Sequence, residues 1–338
     1  MNDKIFYGSL ARITDFEHAG FDLRRLPREQ WEAGDYVVGT AKVQRGGLSG
    51  VELTSGRLIQ AVDGDLVLGA LGVRHATLEV VGSWESVSAD GHMHLLSGGG
   101  LLGRATSVSG ILGSPMQIDY VGHATRDGAK VRMRDFAKVP EKAHPYVVPT
   151  ILVVGTSMSA GKTTSAKIII RQLKRAGHRV VGTKLSGAGR YRDILAMKDA
   201  GADAVFDFVD VGLPSSILDS GEFRERLREL LGLITEAKPD VVVAELGASP
   251  LEPYNGDTAL EEIQSKVVMK VLCASDPYSV LGVMHSYHMA HPDLVAGVAT
   301  STTAGVEVIE KLSGARALNM LDPACLPELG KLLATALG

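Results

Sequence analysis

Gly155 is followed by five residues and then by Gly161-Lys162-Thr163, within the stretch VVGTSMSAGKTTSAK at 153–167. A glycine-rich loop that ends in Gly-Lys-Ser/Thr points to phosphate binding. Its backbone N–H groups and the N-terminus of the following helix gather anionic oxygens. The usual pattern leaves four residues between the glycines, so the spacing here is one residue longer. Lys162 is placed to contact the β/γ-phosphates of a nucleotide, and Thr163 to offer its hydroxyl to Mg2+. The residues expected around the phosphates are Gly155, Thr156, Ser159, Ala160, Gly161, Lys162, Thr163 and Thr164.

Such a loop needs a strand before it and a helix after it. TILVVG at 150–155 reads as a buried strand. After Lys162, residues Ile168, Ile169, Leu173 and Ala176 share one side of a helix that Gly177 stops. HRVVGTK, DAVFDFV, DVVVAEL, KVVMKVLCA, LVAGVAT and ALNML read as further strands. RYRDILAMKDAG and FRERLRELLGLITEA read as helices between them. Strands alternating with helices predict a parallel sheet covered on both faces, with ligands beyond the carboxyl ends of its strands.

Residues 1–138 follow a different pattern. DYVVGTAKV, RLIQAVDG, DLVLGAL, ATLEVVGSW, HMHLLSGGG and MQIDYVGHA are short strand-like runs between turns, and GDYVVG and GDLVLG echo each other. The expectation is a smaller, mostly β domain, then a proline-rich linker at 139–149 and an α/β domain at 150–338. The run SGGG at 97–100 reads as a flexible turn, His92 and His94 as a solvent-facing pair, and Arg24, Arg25 and Arg28 as a solvated surface cluster.

The longer spacing is informative. GTSMSAGKTT resembles the loop of dethiobiotin synthetase and of the cobyrinic and cobyric acid synthases. VVGTKLSGAG is similar to the second strand of dethiobiotin synthetase, which implies that Lys184 faces the reacting group and the γ-phosphate. GRYRDILAMKDAG resembles the acidic segment that follows, which implies Asp193 near Mg2+. DVVVAELGASPLEP resembles the strand that ends in Glu-Gly-Ala-Gly, which implies Glu245 as a Mg2+ ligand or water-orienting group. A second resemblance, through DAVFDFVDVGLPSSIL and AELGASPLEPYNG, is to a bacterial phosphate-loop family of unknown function that includes D-amino-acid N-acetyltransferases. Together the resemblances cover about residues 150–322. They imply ATP as nucleotide, a small-molecule substrate and a homodimer. Two departures stand out. GVATSTTAG offers Thr300, Ser301, Thr302 and Thr303 where dethiobiotin synthetase has an adenine-reading asparagine, and Gly247-Ala248-Ser249-Pro250 replaces the glycine pair after the glutamate.

Composition narrows the classes. Of 338 residues, 45% are hydrophobic and 22% charged, which suits a globular chain with a large core. A net charge of −4 argues against a broad nucleic-acid-binding face. No apolar run approaches the ~20 residues of a membrane helix, and the N-terminal residues do not read as a signal peptide. Cys273 and Cys325 define neither a disulfide framework nor a metal site, so the expectation is a cytoplasmic protein. His285, His288 and His291 read as a helix surface or dimer contact, with metal binding as the alternative.

The leading expectation is an ATP- and Mg2+-dependent enzyme that phosphorylates a small carboxylate or carbamate for attack by an amine, with Lys162, Lys184 and Glu245 as its catalytic residues and Thr163, Asp193 and Glu245 at the metal. Two others stand beside it: a nucleotide-dependent switch or metallochaperone, and an acyltransferase whose loop holds a coenzyme A phosphate.

Overall fold

The computed structural model describes residues 4–43, 49–142, 144–247, 249–287 and 292–338. The chain forms two compact units. The first comprises Met1–Lys138 with Ala188–Arg192 and Phe208–Ile217; the second comprises Val139–Gly187, Asp193–Asp207 and Leu218–Gly338.

The first unit is built on a β-sheet that closes on itself. Leu66–Leu71 pairs with Tyr36–Lys42, which pairs in turn with Gln117–Arg126, His92–Ser97 and Leu101–Val108. Leu101 and Leu102 then pair back onto Ala70 and Leu71. The echoed segments are thus antiparallel neighbours, with Tyr36 opposite Ala70 and Gly39 opposite Val67. Alternate positions fill the interior with Val37, Ala41, Val67, Leu71, Met93, Leu95, Leu102 and Ile118. Closure depends on glycine. A Cβ on Gly69 would stand 2.2 Å from the Gly100 carbonyl oxygen, and one on Gly99 2.7 Å from that of Gly189. The run Ser97 to Gly100 is therefore a close crossing of backbones rather than a flexible turn.

Two other expectations for this unit are corrected. His94 is half-buried, and its Nδ1 accepts from the Ala105 N–H at 3.2 Å. Arg28 donates to the Val87 carbonyl at 2.8 Å and stacks on Trp84 at 4.7 Å, because its stem covers apolar rings that would otherwise face water.

Polar anchors hold the two later segments in this unit. Glu52, 1% exposed, accepts from Ser9 Oγ at 2.5 Å and from the Tyr191 N–H at 2.7 Å. Arg12 makes a two-pronged pair with Asp210 at 2.8 and 3.0 Å, and Lys138 adds a third bond at 2.8 Å. Burial opposes the Asp210 charge, but the Arg12 and Lys138 bonds prevail and hold its pKa below the ordinary value. Arg12→Ala removes the two-pronged partner of a carboxylate that is 2% exposed, while half-exposed Lys138 still contacts it. The expected loss is about 3 kcal/mol in urea denaturation at neutral pH. With a depressed folded-state pKa, this stabilisation is present above the unfolded carboxylate pKa and fades as pH falls through the folded one. The gap between wild type and variant should therefore narrow in acid.

The second unit carries a six-stranded, wholly parallel sheet. Its strands run Ala204–Asp207, Val180–Ser186, Val241–Leu246, Thr150–Gly155, Val267–Cys273 and Leu294–Ala296 in lateral order. Helices cover both faces. On one, Ala166, Ile169, Ile170 and Leu173 of Lys162–Arg175 and Leu329 and Leu333 of Leu326–Leu337 pack on Ile151, Val153, Val243 and Val271. On the other, Val280 and Val283 of Pro277–Ser286 and Ile309 of Thr303–Ser313 pack on Leu272 and Val295. ALNML forms no strand. Ala317 makes a single bridge to Val295, because the chain turns there after one contact. Among the described residues no helix is long and apolar enough to cross a membrane.

Candidate functional site

The strand Thr150–Gly155 lies between Val241–Leu246 and Val267–Cys273, where successive connections leave to opposite sides. Such a switch point opens a crevice at the carboxyl ends of the strands, and the loop 156–161 stands there. Ser159 (φ 60°) and Gly161 (φ 102°) are left-handed, the backbone signature that lets successive amides face one concavity. Helix Lys162–Arg175 starts at once, with Gly161 as its N-cap.

The displaced Gly155 has a packing reason. A Cβ there would lie 2.8 Å from the Lys162 Cγ and Cδ, so the lysine stem crosses over it. Lys162 is 6% exposed, and its Nζ donates to the Ser157 carbonyl at 2.7 Å. The loop is braced from outside. Val298 N–H donates to the Ala160 carbonyl at 3.2 Å, the Thr156 N–H donates to the Cys273 carbonyl at 2.9 Å, and Thr156 Oγ1 lies 3.2 Å from Ser275 Oγ. Beneath it, the Cys273 thiol is 3.3 Å from Ser165 Oγ, and burial pushes its pKa up to about 11. Gly297 has φ 92°, and a Cβ on it would stand 2.1 Å from the Ala160 oxygen. Gly297→Ala should therefore displace the loop. The expected loss is about 1–3 kcal/mol in thermal unfolding, with weaker nucleotide binding by calorimetry.

The remaining site residues come from neighbouring strands. Lys184 and Glu245 are lateral partners on adjacent strands. Thr163 Oγ1 donates to Glu245 Oε2 at 3.0 Å. Lys184 Nζ donates to Asp193 Oδ2 at 2.6 Å, Asp193 being the third residue of helix Tyr191–Asp199. The structure thus brings Lys162, Thr163, Lys184, Asp193 and Glu245 into one cluster. Thr164 points away and is exposed on the helix, and Ser159 is exposed at the loop tip.

Electrostatics bind this cluster together. Burial lowers the Lys162 pKa, with Lys184 adding to the effect and the Glu245 and Glu252 carboxylates opposing it. Burial works against the Lys184 charge as well, but Asp193, Glu245 and Asp207 prevail and raise its pKa. Burial, reinforced by Asp193, raises the Glu245 pKa despite the two lysines and the Thr163 hydrogen bond. Carboxylates outnumber ammonium groups here two to one.

Sequence reasoning did not reach Asp207 or Glu252. Asp207 is a lone carboxylate at the end of an apolar strand, a usable signal. Glu252 lies in an irregular loop, where its carboxylate accepts from the Ser249 N–H at 2.8 Å, and only folding brings it near Lys162. Thr300 turns its hydroxyl onto the Gly297 carbonyl at 3.0 Å, and Thr302 caps helix Thr303–Ser313. His285 lies in the last turn of Pro277–Ser286, while His288 and His291 fall outside the described residues.

A cation and a nucleotide can be tested against these residues. Mg2+ takes hard oxygens and relies on one or two carboxylates together with substrate phosphates. Thr163, Glu245 and Asp193 offer that donor set. Among the described residues no group of three or more His, Cys, Asp or Glu is arranged to hold a metal, so the fit is to a shared rather than an all-protein site. The glycine loop, its left-handed turns and Lys162 fit a phosphate chain.

Strand, loop, helix and switch-point position together define the second unit as a phosphate-loop α/β fold. No protein-family model matches the sequence, and no curated protein matches it. Among solved structures, it is similar to HypB from Helicobacter pylori, solved with nickel, at 13% identity and a TM-score of 0.38, over 56% of this chain and 87% of that one. It is similar to chloroplast FtsY from Physcomitrella patens at 12% identity and 0.37, over 57% and 67%. A duf1611 family protein from Anabaena variabilis matches at 14% and 0.37, over 62% and 65%. At these scores the likenesses assign neither family nor activity.

Proposed function

We propose that the second unit is a nucleoside-triphosphate- and Mg2+-dependent phosphoryl-transfer enzyme of dethiobiotin-synthetase type, with ATP as the nucleotide. Its acceptor is a small carboxylate or carbamate. The γ-phosphoryl group passes to the acceptor oxygen, the nucleoside diphosphate leaves, and an amine then displaces phosphate to form a C–N bond.

The observation that carries this reading is the buried cluster in which two lysines and the Thr163 hydroxyl meet more carboxylates than the lysines can neutralise. A bare polyphosphate would be repelled by Asp193 and Glu245, so the cluster suits a nucleotide that arrives with a divalent cation. Mg2+, when bound, neutralises charge on the phosphate oxygens. Thr163, Asp193 and Glu245 would hold it. Lys162 would exchange the Ser157 carbonyl for phosphate oxygens, and Lys184 would offset charge on the group in transfer. A homodimer belongs to the same reading and is checked by light scattering.

The test is phosphate release from ATP with Mg2+, measured against a panel of small carboxylates with and without amines. Release stimulated by one acceptor supports the proposal. Release stimulated only by a protein partner would replace it with the switch reading.

A further inference from the structure

Asp193 and Glu245 stand in one cluster, and an ammonium stands with them. Lys184 Nζ donates to Asp193 Oδ2 at 2.6 Å, and strand register sets Lys184 beside Glu245. Both carboxylates act on the lysine charge, Asp193 more strongly than Glu245. Lys184 is 6% exposed, so its charge is held by these neighbours rather than by bulk water. The geometry thus puts a monovalent cation on the carboxylate that a divalent one would use.

A free metal ion could take Asp193 only by displacing that ammonium. The buried lysine would lose an ion pair and face a divalent charge, and both effects oppose the exchange. A metal ion carried on a polyphosphate meets a different balance. Its phosphate oxygens offer Lys184 a new anionic partner as Asp193 passes to the metal, so each charge keeps a counter-charge. The flexible stem and compact head of a lysine suit such a change of partner.

We propose that Lys184 guards the cation site: its bond to Asp193 holds the site against free divalent metal and yields to a metal–polyphosphate complex. Lys184 thereby selects the nucleotide-bound cation over the free one. This role rests on the phosphoryl-transfer reading for its use in catalysis, whereas competition between ammonium and metal is measured without nucleotide or turnover.

The test uses the full chain and Mn2+, whose free ion is counted by electron paramagnetic resonance. Lys184→Met removes the charge and keeps most of the stem. Without nucleotide, Mn2+ should bind this variant about tenfold or more tighter than wild type. Equal or weaker binding to a folded variant overturns the proposal. Lys162→Met is the control, because Lys162 donates to the Ser157 carbonyl and its loss leaves the Lys184–Asp193 bond in place. It should change Mn2+ affinity by less than about threefold. A gain equal to that of Lys184→Met would mean that any lost positive charge favours metal, and overturns the proposal. With tripolyphosphate present the order should reverse, wild type holding the Mn2+ complex about tenfold tighter than Lys184→Met. A variant that binds the complex more tightly as well overturns it. Should Lys184→Met not fold, wild type decides: a competitor yields to excess, so about 20 mM Mn2+ should speed acetic anhydride labelling of Lys184 severalfold, read by peptide mass spectrometry. Unchanged labelling overturns the proposal. If wild type binds no ATP with Mg2+, the functional reading fails, while Mn2+ alone still decides the role of Lys184.

Discussion

Lys162→Ala is expected to weaken ATP binding about a hundredfold or more while leaving the protein folded. The lysine would supply charge-assisted bonds to phosphate oxygens, each worth about 1.5–3 kcal/mol, and 2.7 kcal/mol is about two orders of magnitude in Kd. The fold should tolerate the loss. Lys162 is nearly buried, and burial already disfavours its charge. Truncation removes that penalty, frees the Ser157 carbonyl and takes one cation from Glu245. These changes oppose one another, so the net effect on thermal unfolding should stay within about 1 kcal/mol. Calorimetric titration and a melting curve on the same sample check both halves. Full nucleotide affinity in a folded variant would mean the loop does not hold phosphate.

Glu245→Gln should separate binding from chemistry. Burial and Asp193 already push Glu245 toward its protonated form, and glutamine matches that form in shape. The Thr163 hydroxyl keeps an oxygen to donate to. Glutamine keeps a side-chain oxygen that can serve the cation and removes at most one negative charge beside the polyphosphate, so nucleotide affinity should hold within about threefold, a change of ~0.7 kcal/mol. Turnover should fall about a hundredfold or more, the usual scale for a group that orients or deprotonates the nucleophile. Single-turnover phosphate release, compared with titration, distinguishes the two effects. Unchanged release would reduce Glu245 to a structural partner of Thr163.

What the sequence discloses about this fold follows the range of the interactions. The Gly161-Lys162-Thr163 run, its strand and its helix are local, and the α/β pattern after residue 150 could be read from apolar periodicity. Strands of three residues such as Ile5–Tyr7 and Gly50–Glu52 are too short for a periodic signal. Leu101–Val108 was hidden behind four residues, Ser97 to Gly100, that look like a loose turn, and ring closure at Ala70 and Leu71 is a pairing across thirty residues. The segments 188–192 and 208–217 join the first unit through Glu52 and through the Arg12–Asp210 pair, contacts that span more than a hundred positions. No local pattern carries such information.

The candidate site divides in the same way. Lys162 and Thr163 follow from spacing and loop chemistry. Lys184, Asp193 and Glu245 needed a family resemblance to be singled out, and the structure gathers them through strand register and one helix turn. Gly155 stood out in the sequence as an oddity of spacing. Its physical reason, room for the Lys162 stem, appears only when the loop is folded.

Calorimetric titration of the purified protein with ATP, GTP and acetyl-CoA, each with and without Mg2+, tests the central claim most directly. ATP binding that depends on Mg2+ is expected, because the cluster that would receive the phosphates is rich in carboxylates. Acetyl-CoA binding that is indifferent to Mg2+, with no binding of either nucleotide, would contradict it.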